Sequence, residues 1–154
     1  TLNLIMEGTD AEKNAASIAL SASDGSRKDG WFIRLTNSGE KVLAASLTIN
    51  NQVIFTTYEP APSAASSCQV SNGTARAYVV GIKNATPSGD LDGDGDVDKD
   101  DRVIPLKHGN IPSQPTVIDT IDSPPVVMVG TESLDKVDTG KQVIRTYWYE
   151  DEIN

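Results

Sequence analysis

Histidine and cysteine are almost missing from this chain of 154 residues: each occurs once, as His108 and Cys68. A structural zinc centre built from four nitrogen or sulfur ligands is thereby excluded, and so is a disulfide within the sequence. Cys68 reads as a free thiol or as the partner of a cysteine outside this sequence. His108 sits in Leu106-Lys107-His108-Gly109 without the spaced partners that general acid–base work requires, and reads as a solvated loop residue. No phosphate-cradling loop and no Gly-x-Ser-x-Gly turn occurs, so a catalytic constellation is not expected. Aromatic residues make up 5% of the chain. No apolar run reaches the length of a membrane span. Positive charge is scarce as well, with 13 Lys and Arg against 22 Asp and Glu and a net charge of −9. That balance argues against nucleic acid as a partner. The chain opens at Thr1 with neither a methionine nor a signal peptide, as expected of a mature form or an excised piece.

The acidity has one main source. Asp90-Leu91-Asp92-Gly93-Asp94-Gly95-Asp96-Val97-Asp98-Lys99-Asp100-Asp101 holds seven carboxylates and one lysine in twelve residues, a net of −6, which leaves −3 for the rest of the chain. Such a run repels itself unless a cation sits among its carboxylates. Its spacing is that of the twelve-residue calcium loop. Asp90, Asp92 and Asp94 take positions one, three and five; Gly95 takes the sharp turn at six; Asp96 offers its carbonyl at seven; Asp98 stands at nine, where a water often intervenes; and Asp101 closes the loop. Starting at Asp92 would place Val97 at the turn, and starting at Asp94 would place Lys99 there, so the register is unique. The six metal-ligand candidates are therefore Asp90, Asp92, Asp94, Asp96, Asp98 and Asp101. Hard oxygen donors favour Ca2+, whereas magnesium keeps more of its own water. A calcium loop of this kind also suits calcium-rich spaces outside the cytosol.

The flanks differ from those of an EF-hand, which has a helix on each side. Thr86-Pro87-Ser88-Gly89 before the loop is a turn signal, and Pro105 after it stops any helix beyond one turn. The expectation is an EF-hand-like calcium loop without flanking helices, spanning 90–101 and inserted in another scaffold. A dockerin uses such a loop twice, and no second copy is present.

The scaffold reads as all-β. Short runs rich in Val, Ile and Thr, bounded by turn residues, predict strands at Trp31–Leu35, Val42–Ile49, Gln52–Tyr58, Ala75–Ile82, Thr116–Ile118, Val126–Val129 and Lys141–Tyr149. Leu2–Met6 alternates in part, and Asn50-Asn51 is a two-residue hairpin signal. An antiparallel meander of this kind suits a sandwich, a barrel or the blades of a propeller. Grouped as blades, residues 1–154 are too few to close a ring of about four four-stranded blades. They would form a partial propeller, or else a single self-contained β domain.

Gly30-Trp31-Phe32-Ile33-Arg34-Leu35, then Gly39-Glu40-Lys41-Val42, then Val53-Ile54-Phe55-Thr56-Thr57-Tyr58 resembles the C-terminal β-propeller of the PilC/PilY type IV pilus tip proteins. Cys68, the acidic loop and Ile111-Pro112-Ser113-Gln114-Pro115-Thr116-Val117 follow in the family's order. The resemblance implies a noncatalytic calcium-binding module, exported to the cell surface, pilus, outer membrane or periplasm. Its partners would be pilus machinery or minor pilins, and host or surface ligands in adhesion. Its role would lie in pilus extension against retraction and in twitching motility. The alternative is a calcium-stabilised carbohydrate-active or dockerin-like cell-surface domain.

Overall fold

A computed structural model describes residues 2–4, 30–62, 72–120 and 123–140. Their architecture is all-β, and both larger sheets are antiparallel. Strand β1 (Leu2–Leu4) pairs in parallel with β2 (Gly30–Phe32) as a two-stranded sheet. The five-stranded sheet contains β3 (Lys41–Val42), β4 (Leu47–Ile49), β5 (Gln52–Glu59), β6 (Thr74–Gly81) and β7 (Val103–Pro105). Its order is β3-β5-β6-β7, with β4 also lying along β5. The three-stranded sheet is formed by β8 (Pro115–Thr120), β9 (Ser123–Val129) and β10 (Glu132–Ser133), with β9 in the middle. Among the described residues no helix is long and apolar enough to cross a membrane.

The β4–β5 hairpin turns at Asn50 and Asn51, with φ of 45° and 58°. Asparagine tolerates this left-handed region, and a primed turn matches the twist of the strands it joins. The register Ile49↔Gln52 follows directly. The strand expected over Val42–Ile49 is broken. Val42 pairs with Thr57 and Leu47 with Ile54, so four residues span the gap that β5 crosses with two. The intervening Leu43-Ala44-Ala45-Ser46 is poor in β-formers, and it bulges off the edge. The strand expected over Trp31–Leu35 shortens to Gly30–Phe32. Strand β7, not among the expected strands, pairs through Ile104↔Ala77 and ends at Pro105. It is an edge strand, where a residue without an N–H costs no ladder bond. The strand expected at Lys141–Tyr149 lies outside the described residues, as does Cys68.

The two larger sheets share one core. Ile54, Ala77 and Val79 meet Val127 and Val129, with Leu134, Val137 and Leu91 completing the cluster. Each fully buried aliphatic side chain contributes about 1.5–3 kcal/mol. Strands β5 and β6 are covered on the other face too, where Val80 and Ala85 pack with Trp31, Ile33, Val53 and Phe55. Trp31 is held by its Nε1–H, which donates to the Ile82 carbonyl at 2.9 Å. Tyr78 stacks on Phe55 with ring centroids 4.9 Å apart. Its hydroxyl donates to buried Glu40, which also accepts from Thr57 Oγ1 and Asn37 Nδ2. Burial, then the Glu40 charge, pushes the Tyr78 phenol far above its ordinary range.

Candidate metal centre

The acidic loop leaves the five-stranded sheet after β6 and returns to it at β7, so both its ends are anchored. An antiparallel bridge between Val80 and Pro87 fixes the approach. Leu91, at loop position two, is 6% exposed and belongs to the core cluster. The loop therefore hangs from a hydrophobic peg. Its return is a single 3-10 turn, Asp100–Arg102, in agreement with the single helical turn that Pro105 permits.

Gly93 and Gly95 have φ of 91° and 97°. The turn at Gly95 was legible in the spacing; the second, at Gly93, was not. With the chain bent twice, carboxylate oxygens of Asp90, Asp92 and Asp94 come within 4.8 Å of one another. Asp92 Oδ1 accepts from the Asp94 N–H at 3.0 Å, and Asp94 Oδ1 from the Asp96 N–H at 2.9 Å. Asp90 accepts from the N–H groups of Gly93 and Gly95. Backbone bonds thus orient three converging acids. Each pair of charges at that separation repels by about 1 kcal/mol in bulk water, and by several times more near a protein surface. A divalent cation among them reverses the sign of the balance. The chemistry such a group supports is capture of a hard cation by oxygen donors.

The converging carboxylate group does not include the side chains of Asp96, Asp98 or Asp101. Asp96 is exposed. Asp98 Oδ1 accepts from the Asp100 N–H at 2.7 Å. Asp101 is 1% exposed, and both its oxygens are engaged by backbone. Its Oδ1 accepts from the N–H groups of Leu91 at 2.6 Å and Asp92 at 3.2 Å, and its Oδ2 from Asp98 at 2.7 Å. Asp101 thus ties positions two, three and nine of the loop together. Burial works against its charge, but the N–H groups of Asp98, Asp92 and Leu91, aided by the Lys136 ammonium, outweigh it and hold the carboxyl below the usual range.

Lys136 follows β10. A Cβ at Gly93 would lie 2.7 Å from its Nζ, so the ammonium rests against the loop at Gly93. Its charge competes with an arriving cation. Lys136→Met is expected to tighten calcium binding about two- to fivefold at low salt, with the gain fading as salt screens the charge. Calorimetric titrations at low and high salt measure it.

His108 is exposed, as its loop setting implied, but it is not unpartnered: its Nδ1 lies 2.7 Å from Glu132 Oε1. Glu132 also accepts from the backbone N–H groups of Lys107 and His108 at 2.8 and 2.9 Å. Burial opposes the Glu132 charge, yet those two backbone bonds and His108 hold its carboxyl below the ordinary value. A carboxyl depressed on folding stabilises the fold above its unfolded pKa, and that stability fades as pH falls through the folded value. Glu132→Gln should therefore cost stability near neutral pH and lose its effect in acid. Urea unfolding across the acid range, for both proteins, checks the convergence. Nothing in the local sequence marks Glu132, which lies 24 residues from His108.

Fold and site together define an all-β protein that presents an acidic, glycine-turned loop from its larger sheet. No protein-family model matches the chain, no curated protein matches it, and no solved structure matches it.

Proposed function

We propose that the chain is a noncatalytic calcium-binding module of a bacterial cell surface or pilus. The observation that carries this reading is the convergence of Asp90, Asp92 and Asp94 oxygens within 4.8 Å, in a loop turned by two glycines and pegged to a β core. Ca2+ is the preferred ion, because the donors are hard and numerous and the loop is exposed enough to adjust. Asp96 through its carbonyl and Asp98 through a water would complete the shell. Asp101 would join only by surrendering one of its backbone bonds. The loop is EF-hand-like in its spacing alone: among the described residues its neighbours are the Pro87 bridge and β7, not helices. That absence of flanking helices weighs against a dockerin-like role.

The two face-to-face sheets fit adjacent blades of a partial propeller, and the pilus-tip resemblance supplies the setting. There the loop would act at a partner surface, with pilus machinery or minor pilins as partners in extension, retraction and adhesion. Calorimetry on the purified chain, first stripped with a chelator, tests the metal reading. One calcium site, with magnesium bound more weakly, is the expected result. No heat on calcium addition would end it. A glycan array and a hydrolase panel, with and without calcium, separate the binding module from a carbohydrate-active domain.

A further inference from the structure

The loop's exit helps to form a second feature of opposite charge. A cavity of about 130 Å³ is lined by Arg34, Thr36, Tyr78, Lys99 and Arg102, with Ile33 and Val103 as apolar wall. Among the described residues Asp100 is the one acid on its rim, and it lies 3.4 Å from the Lys99 ammonium. Three cations against one acid leave the cavity positive. The Glu40 carboxylate behind Tyr78 is countered by the Arg76 guanidinium, 3.8 Å away.

Arg102 is the unusual member. It is 5% exposed, and its Nε donates to the Ala85 carbonyl at 2.8 Å. Ala85 is itself fully buried with φ of 51°, a left-handed conformation that L-residues other than asparagine and aspartate rarely adopt. The Arg102 Nη2 is buried and has no hydrogen-bond partner. A desolvated guanidinium nitrogen without an acceptor is an expensive arrangement, more so because the group is charged. The Asp98 charge acts on Arg102, but nothing among the described residues hydrogen-bonds to its Nη2. That nitrogen keeps a donor to offer to an incoming anion.

We propose that this cavity receives a single carboxylate on a short aliphatic stem, the side chain of a glutamate or aspartate on a partner protein. The volume is well below the roughly 300–1,000 Å³ of a pocket for a drug-sized ligand, which suits a small group better than a whole nucleotide. The planar guanidinium matches a carboxylate. The apolar wall of Ile33 and Val103 suits methylene groups better than the bare faces of a tetrahedral anion. Arg34 and Lys99 draw the charge in, and Arg102 receives it. The site does not depend on the metal reading, although Lys99 and Asp100 belong to the acidic loop and would pass a change in one to the other.

The test is a nuclear magnetic resonance titration of the whole chain in chelator, with N-acetyl-glutamate amide as probe and N-acetyl-glutamine amide as its neutral control. Saturable shifts at Tyr78, Arg102 and Val103 with the acid alone are expected. Arg34→Ala and Lys99→Ala should each weaken binding about three- to fivefold, and Arg102→Met should abolish it. If Arg102→Met does not fold, the double variant Arg34→Ala/Lys99→Ala decides. Shifts that fail to saturate, that the glutamine probe reproduces, or that saturate in the double variant with undiminished affinity would overturn the proposal. So would tighter binding of inorganic sulfate than of the glutamate probe. Because chelator is present throughout, a negative result leaves the calcium reading untouched, and absence of calcium binding leaves this one untouched.

Discussion

Asp101→Ala is expected to destabilise the chain by about 3 kcal/mol even in chelator, because three backbone N–H groups lose their common acceptor. Water can reach some of them, which is why the figure is nearer the cost of one or two orphaned donors than of three. Against a total stability of about 5–15 kcal/mol the loss is large. Chelator makes the test discriminating. A residue that mattered only as a metal ligand would be neutral without metal, whereas a clamp on Leu91, Asp92 and Asp98 is missed in either condition. Asp101→Asn should lie between. Its carbonyl oxygen still serves Leu91 and Asp92, but its amide turns a donor toward the Asp98 N–H. Urea unfolding in chelator measures both. A change below about 0.5 kcal/mol for Asp101→Ala, the range of ordinary surface substitutions, would show that the clamp contributes nothing.

Asp90→Ala/Asp94→Ala should abolish calcium binding while leaving the metal-free fold near its original stability. The double variant removes two of three converging charges and relieves their repulsion. It also deletes the acceptors for Gly93, Gly95 and Asp96, which are exposed enough to bond to water instead. In the unaltered chain, calcium at a hundredfold excess over its dissociation constant adds about 2.7 kcal/mol. Hydrogen exchange places that gain. Protection should rise over 89–104 and around Lys136, and change little in Gln52–Glu59 and Thr74–Gly81, whose ladder and core do not involve the carboxylates. There are no flanking helices among the described residues to swing open as in a sensor EF-hand. Calcium affinity that is unchanged in the double variant would remove these residues from the site, and loss of protection throughout β5 and β6 in chelator would make the metal a folding requirement.

Much of the fold was legible because its signals are local. Asn50-Asn51 announced a hairpin, and the Val- and Ile-rich runs announced β5, β6, β8 and β9. Gly95 at loop position six announced its positive φ. What escaped was set by tertiary context. Pro105 reads as a stop in the sequence, yet on an edge it closes a strand. Leu43-Ala44-Ala45-Ser46 carries enough apolar character to pass as strand, and only its pairing partner reveals two residues too many. Spacing gives Asp101 its position in the loop but not the direction its carboxylate turns, which depends on N–H groups nine and ten residues away. Glu132, Lys136 and Arg102 carry no signal at all, since each acts on a partner brought near by the fold.

The core cluster also dictates an order of assembly. Ile54 and Val79 do not complete their cover until Val127, Val129, Leu134 and Val137 arrive. Asn50 reaches Asp138 across 88 residues with a 2.9 Å bond, so the joint between the sheets closes over a long stretch of chain. Loops of that length are entropically slow to close, and proteins rich in such contacts fold late and slowly. On the ribosome the β4–β5 hairpin therefore emerges with an incompletely covered apolar side, and waits for β9 and the residues after β10 before it can be sealed. This interval, rather than the finished molecule, is where the chain is most exposed to aggregation and to chaperones.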